Sequence, residues 1–345
     1  MNKLQSMINE IRGRAPFKEY DPKSYISCWS EKDLLEGQIV DALVIILRTR
    51  GCTWSQSTGC SMCGYINDCG QTLISPEDIQ FQFEKALEKF SGKDHDIVKI
   101  FTSGSYLDDN EVKEKVQVEI LTKLKSKTKK VIIESRPEFI HEAKLGTIHS
   151  TFEKIEIAIG LDSSNDFVLE NSINKGFKFQ DYLSAAQLIL EHGLLLKTYL
   201  LIKPPFLTER ESIEDAVNSV KDLSENKIET TISFNPVHIQ NYTLVDHLWH
   251  RHEYRPPWLW SVVEVIKKAS AITKSRLMSS PTAGGKKRGS HNCGKCDDEL
   301  LKAIDSFSLS GKTDIFNNLD CECKNKWLDI LELEGFAQSG GVFTY

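Results

Sequence analysis

The stretch Arg48-Thr-Arg-Gly-Cys-Thr-Trp-Ser-Gln-Ser-Thr-Gly-Cys-Ser-Met-Cys-Gly-Tyr65 follows directly on an apolar run from Ile39 to Leu47. The run reads as a buried strand, which puts Cys52, Cys60 and Cys63 in a loop at the strand's C-terminal end. Their spacing is Cys-x7-Cys-x2-Cys, with glycines at Gly51, Gly59 and Gly64 beside them. Three soft thiolates suit iron–sulfur or zinc. Iron–sulfur clusters are normally held by four thiolates, so three leave one iron open to an outside ligand. A zinc site of three cysteines and one histidine is the other possibility. No histidine lies within 30 residues on either side, although the fold can bring one from elsewhere.

Outward from this loop, apolar runs alternate with amphipathic stretches. Strands are expected at 40–47, 97–102, 130–135, 155–161, 194–202 and 230–234, and helices at 76–90, 111–126, 141–149, 179–192, 209–226 and 259–273. Six strand–helix units imply a parallel sheet covered by helices, either a barrel or partial barrel or a doubly wound open sheet. Both bind ligands at the C-terminal ends of the strands. The conspicuous polar residues lie there: Cys52, Ser103 to Ser105, Glu134, Arg136, Asp162, Ser163, Lys203, Asn235, His238 and Gln240. Loops are polar for general reasons as well. Gly104 between serines also suits a plain turn, Glu134 and Arg136 can pair with each other, and Lys203-Pro-Pro can simply end a strand.

Residues 1–38 read as an N-terminal extension, 39–278 as the barrel, and 279–345 as a small cysteine-rich region. In the extension, Asn2 to Arg12 suits a short helix and Ser30-Glu-Lys-Asp-Leu-Leu a serine-capped helix start. Ser279 to Ser290 reads as a small, basic linker. Beyond it, Cys293-x2-Cys296 and Cys321-x-Cys323 offer four thiolates, as in a closed zinc site. A second iron–sulfur cluster is the alternative, and His291 is a possible substitute ligand. Cys28 and Cys69 are expected to pack.

The chain has 345 residues, 40% of them apolar and 27% charged, as in ordinary globular proteins. No apolar run approaches the ~20 residues that span a bilayer, and the first twenty residues carry no apolar signal core. The expectation is a cytoplasmic protein with no membrane contact. Nine cysteines in local clusters in a reducing compartment point to metal rather than disulfides. A net charge of −6 argues against a broadly basic nucleic-acid coat. Local patches remain for RNA: His247 to Trp258 interleaves cations with aromatics, and Lys286, Lys287 and Arg288 are basic together.

The strand followed by Arg50-Gly-Cys52, then Cys60-Ser-Met-Cys63-Gly-Tyr65, resembles the radical S-adenosylmethionine superfamily. The wide first spacing, Phe101-Thr-Ser-Gly-Ser105, Ile133-Glu-Ser-Arg-Pro-Glu138 and Glu156-Ile-Ala-Ile-Gly160 resemble its elongator-catalytic-subunit branch. Narrower still, Tyr199 to Glu209, Phe234 to Gln240, Pro256 to Trp260 and Pro281 to Asp297 resemble the archaeal radical enzymes of archaeosine biosynthesis, a likeness running from about residue 24 to 325.

That resemblance implies an α/β fold, a partial (β/α)6 TIM-like barrel with a C-terminal cysteine-rich region. It implies a 4Fe–4S cluster on Cys52, Cys60 and Cys63, with S-adenosylmethionine on the open iron. Ser103, Gly104 and Ser105 would meet the cofactor's amino group. Glu134 and Arg136 would approach its ribose or carboxylate, and Lys203 and Gln240 its methionine moiety or the substrate. The implied reaction is C–N cleavage in a lysine-substituted 7-deazaguanine of the tRNA D-loop, leaving archaeosine. Implied partners are tRNA, an electron donor, and the transglycosylase-like archaeosine synthase that attaches the lysine. The competing functions are another radical tRNA modification of the elongator-like branch and a non-catalytic, zinc-stapled RNA-binding module.

Overall fold

The strand that leads into the cysteine loop lies second in an eight-stranded sheet whose spatial order is the chain order. In the computed structural model, which describes residues 2–69 and 74–336, the strands are β1 (Ser27–Leu35), β2 (Gln38–Ile46), β3 (Ile97–Phe101), β4 (Lys130–Glu134), β5 (Ile155–Asp162), β6 (Leu195–Ile202), β7 (Thr231–Pro236) and β8 (Leu277–Ser279). β1 and β2 are antiparallel, and every later pairing is parallel. The sheet curls into a half-barrel with helices outside.

Alternation along the strands sets the layers. Ile155, Ile157 and Ile159 of β5 are buried with the outer helices in the main core. Ala158 lies in a smaller inner cluster, and Glu156 pairs with Lys130 at 3.1 Å. The inner floor is a buried ion network in which Lys99 reaches Glu31 at 2.7 Å and Asp33 at 2.5 Å. Arg276 completes it, bonding Asp33 at 2.7 Å and so tying the last strand's approach to the first strand. Burial and then neighbouring Lys99 pull Lys197 down to about 8 in this floor.

The six expected parallel strands are β2 to β7, each followed by its expected outer helix: Pro76–Lys89, Glu114–Leu124, Glu142–Thr151, Phe179–Glu191, Glu209–Glu225 and Leu259–Ser270. The helix expected from Ser30 does not form, because those residues lie in β1. Glu36 and Gly37 both adopt positive φ (50° and 79°) and close a two-residue hairpin. Its ladder takes the backbone groups that a helix would have used. β8 has three residues, too few for a periodic signal, yet it pairs with β7. The stretch from Ser279 to Ser290 is no free linker: Ser279 and Ser290 are buried, and a Cβ on Gly289 would lie 2.1 Å from the Ala283 carbonyl oxygen.

The expected N-terminal helix forms as Lys3–Arg12, with Asn2 and Gln5 exchanging backbone and side-chain bonds at its cap. Ile8 and Ile11 are buried beside Leu244, Val245 and Leu248 in a second apolar cluster. Burying each is worth on the order of 1.5–3 kcal/mol. The helix is therefore held over the half-barrel's mouth.

Candidate metal and cofactor site

Past β2, the chain turns sharply at Gly51, whose φ is +83°. A Cβ there would lie 2.5 Å from the Cys69 sulfur, so Cys69 packs beneath the turn, as expected of it. Cys52 opens a one-turn helix, Thr53–Ser57. Cys60 is buried, and Cys52 and Cys63 are half-buried.

Two segments hold the far side of this loop. Ser61 donates from its amide to the Ile173 carbonyl at 2.8 Å and from its hydroxyl to the Ser172 carbonyl at 2.7 Å. Asn174, in the left-handed region at φ 57°, donates to the Gly59 carbonyl at 2.7 Å, and its own carbonyl accepts the Trp54 indole N–H at 2.8 Å. From the N-terminal helix, Arg12 donates to the carbonyls of Ser55, Thr58, Cys60 and Cys63.

The turn after β3 meets the loop backbone to backbone. A Cβ on Gly104 would fall 2.6 Å from Cys52 Cα and 1.9 Å from Glu111 Oε1. The Ser105 amide donates to Glu111 at 2.6 Å, and the Thr49 hydroxyl donates to the other oxygen of that carboxylate at 2.8 Å. Glu111 thus joins the two segments, and burial pushes it up to about 7 despite those bonds. The Ser105 hydroxyl in turn accepts the Arg136 amide N–H at 3.0 Å.

Arg136 is buried with its guanidinium between the rings of Trp54 and Phe177, 5.8 and 5.1 Å from their centroids. It bonds Glu138 at 2.5 Å and the Lys175 carbonyl at 3.1 Å. The pairing with Glu134 that the spacing permits does not occur. Glu134 ends β4 and shares a hydrogen bond with Tyr199, while burial pushes it up to about 7. Lys175 is buried against Asp162 at 2.5 Å. Burial opposes its charge, but Asp162 and the Cys60 thiol hold its pKa above the usual lysine range.

Gln240 also reaches the loop: its carbonyl accepts the Gly64 amide N–H, and its amide nitrogen lies 2.9 Å from His238 Nε2. A cavity of about 300 Å³ opens here, lined by Tyr65, His238, Gln240, Lys18 and Arg288 among others. Lys203 stands apart. Its ammonium bonds Glu209 at 2.5 Å, and that carboxylate also accepts the Trp258 amide and the Ser261 hydroxyl. Among the described residues, neither Glu134 nor Lys203 makes a hydrogen bond or ion pair to the cysteine loop.

The donor set suits an anionic group with a free metal position. Burial pushes Cys60 up to about 12 and raises Cys63, so these thiols are protonated until a cation displaces the protons. Arg136 and Lys175 lie close enough to Cys60 to favour its thiolate, and Arg12 does the same for Cys63.

The other cysteines form a different site. The sulfurs of Cys293, Cys296, Cys321 and Cys323 all lie within 4.8 Å of one another. Separations are 3.6 Å for Cys293–Cys321, 3.6 Å for Cys296–Cys323 and 4.0 Å for Cys293–Cys296. A tetrahedron with zinc–sulfur bonds of about 2.3 Å has edges of about 3.8 Å, so a single ion fits. Among the described residues this is the one such group; the thiols of the loop do not converge in this way. Cys323 accepts the Trp260 indole N–H at 3.3 Å, and Cys296 accepts the Asn292 amide at 3.4 Å. His291 is not one of the four and lies 2.8 Å by Nδ1 from the Gly289 carbonyl.

The chain is 39% identical to archaeosine synthase subunit beta of Methanosarcina acetivorans, across 339 residues covering 97% of each protein. The chain belongs to the archaeosine synthase subunit beta family. The protein of that name from Thermococcus kodakarensis is also 39% identical, across 88% of this chain and 96% of its own. No protein-family model matches the chain. Among solved structures, archaeal Elp3 of Methanocaldococcus infernus shares the fold, with a TM-score of 0.50 at 17% identity over 68% of this chain and 60% of that one. The half-barrel is thus the radical S-adenosylmethionine enzyme fold that the motifs resemble. Among the described residues no helix is long and apolar enough to cross a membrane.

Sequence reasoning missed Arg12, Glu111 and Asn174 of this family member's site. None lies in the quoted motifs, and each acts on the loop only after the chain has folded back on itself. The aromatic–cation stretch from His247 to Trp258 is divided by the fold. Tyr254 and Trp258 are buried, and Arg255 lies 4.2 Å over the Trp258 ring. His250, Arg251 and His252 remain exposed, as do Lys286 and Lys287. Arg288 is taken by Asp246 at 2.6 Å and lies 4.8 Å from the Trp249 ring centroid.

Proposed function

We propose that this chain is a radical S-adenosylmethionine enzyme that completes archaeosine in tRNA. It acts as a lyase, cleaving a C–N bond in a lysine-substituted 7-deazaguanine of the D-loop. The observation that carries the reading is the meeting of the three-cysteine loop with the Ser103–Ser105 turn, at the mouth of a half-barrel, in a chain of this family. In this reading Cys52, Cys60 and Cys63 hold a 4Fe–4S cluster. When bound, the cluster supplies one electron to the sulfonium of S-adenosylmethionine, releasing methionine and a 5′-deoxyadenosyl radical.

The chain's own residues bind, orient and exclude. The Ser103–Ser105 turn, Glu134 and Arg136 face the cofactor. Arg136 keeps its charge beside the thiols through Glu138, suiting it to a carboxylate. Gln240 fastens the loop to the segment after β7, and Lys203 with Glu209 holds the end of β6. The apolar cluster of the N-terminal helix covers part of the mouth, as radical chemistry requires a water-poor site. The four C-terminal cysteines hold zinc, which staples the last helices to Leu259–Ser270. The lysine-adding archaeosine synthase is the partner subunit, an electron donor is needed, and the cytoplasm is the place of action.

The test is anaerobic reconstitution with iron and sulfide, followed by S-adenosylmethionine, dithionite and lysine-modified tRNA. The expected products are 5′-deoxyadenosine and archaeosine, read by nucleoside mass spectrometry. Absence of both iron–sulfur absorbance and 5′-deoxyadenosine would sink the enzyme reading. Cofactor cleavage with the modified base unchanged would sink only the archaeosine assignment.

A further inference from the structure

We propose that Arg12 is a positioning residue of the three-cysteine site, shaping the loop before iron arrives and setting the field around the cluster afterwards. The inference rests on the reading that Cys52, Cys60 and Cys63 hold an iron–sulfur cluster. Between Cys52 and Cys63 the chain has one helical turn and no strand pairing, so its carbonyls depend on turns and on side chains from elsewhere. Arg12 serves four of them. Nη1 donates to Thr58 at 2.7 Å and Ser55 at 3.3 Å, and Nη2 donates to Cys63 at 2.8 Å and Cys60 at 3.0 Å. Two of these four carbonyls belong to thiol-bearing residues. A guanidinium is a rigid fork of five donors, which a single ammonium cannot replace.

The slot is built for it. A Cβ on Gly59 would stand 2.0 Å from Nη1, and Gly59 has a φ of +76°. The arginine is itself fixed by its helix: Ile8 and Ile11 are buried, Asn2 and Gln5 close the cap, and Gln5 reaches Asn174 at 3.3 Å. Asn174 grips the same loop through Gly59. The N-terminal helix is thereby part of the site. A fixed cation beside the cluster stabilises the reduced, more negative state, because cluster potentials follow local charge and hydrogen bonding.

The test uses the full chain with Arg12→Ala, Arg12→Lys and, as control, Arg14→Ala. Arg14 lies two residues past the end of the same helix, is exposed, and pairs with Glu10. Hydrogen exchange of the metal-free proteins reads the loop. In Arg12→Ala the amides of residues 52–63 should open about tenfold more often or beyond, the loss expected for bonds from a charged donor. Arg14→Ala should match the parent. After anaerobic reconstitution, an EPR-monitored titration reads the midpoint potential. It should fall in Arg12→Ala and return toward the parent value in Arg12→Lys, which keeps the charge but not the fork. Should Arg12→Ala fail to fold by circular dichroism, Arg12→Lys decides alone: partial loss of loop protection is expected, and full protection overturns the proposal. Unchanged protection and potential in Arg12→Ala also overturn it. A parent chain that takes up no iron overturns the cluster reading instead, while exchange of the metal-free proteins still judges Arg12.

Discussion

Replacing Gly104 with alanine places a methyl carbon 1.9 Å from Glu111 Oε1 and 2.6 Å from Cys52 Cα. The first neighbour is a carboxylate already held by the Ser105 amide and the Thr49 hydroxyl. The second is backbone and cannot rotate aside. The Ser103–Ser105 turn must therefore part from the cysteine loop. Overpacking of this kind costs about 1–3 kcal/mol, and contact with backbone places this site toward the upper end. Gly146 is the matched control. It lies inside the helix Glu142–Thr151 with no atom within 4 Å of its added Cβ. There Gly→Ala should stabilise by roughly 0.5–1 kcal/mol. The assay is urea unfolding of the metal-free, reduced chains by tryptophan fluorescence, paired with iron content after anaerobic reconstitution. Gly104→Ala should unfold at lower urea and lose iron from the loop, and Gly146→Ala should unfold at higher urea and load normally. Parent-like unfolding and iron uptake in Gly104→Ala would refute the close approach of the two segments.

Two further outcomes follow from the site and the core. Asp215 is buried with one carboxylate oxygen unpartnered; burial pushes it from the ordinary 3.8 up to about 7, against the Ser163 hydroxyl that bonds it at 2.8 Å. A raised acid stabilises the fold fully below about pH 4 and loses that contribution as pH rises through about 7, on the order of a few kcal/mol. Asp215→Asn should flatten the pH profile of the melting temperature and raise it at pH 8; parallel profiles would contradict this. Cys323→Ser should weaken metal retention at the C-terminal group by more than the roughly 10–100-fold that an outer-shell loss costs, read by chelator competition, while loop iron is unaffected. Parent-like zinc content would rule out the four-thiol site.

What was legible in the chain follows from local rules. The runs of β2 to β7 announce themselves by length and the helices by period, so the strand–helix count and the C-terminal position of the cysteine loop could be read. β1 could not be read as a strand, because Ser30 followed by mixed charges looks like a helix cap, and only pairing with β2 decides otherwise. Cys-x-Cys at Cys321 is tighter than ordinary zinc spacing, yet folding brings it to Cys293-x2-Cys296. For Arg136 the sequence offered Glu134 as a partner. The end of a strand sends Glu134 to Tyr199 and leaves Glu138 for the arginine.

Read alone, the chain shows where the candidate ligands lie: three thiols on one loop, four near the C-terminus, and polar side chains after successive strands. Residue type and spacing are local properties, and thiolate chemistry depends on them directly. Only the tertiary structure decided what shapes the loop. Arg12, Gly104 with Glu111, Asn174 and Gln240 come from four separate segments, and their contacts with residues 49–64 depend on distances set by the folded chain. A hydrogen bond of about 3 Å has no signature in spacing when its partners lie tens of residues apart. The loop's chemistry was therefore written locally, and its geometry was not.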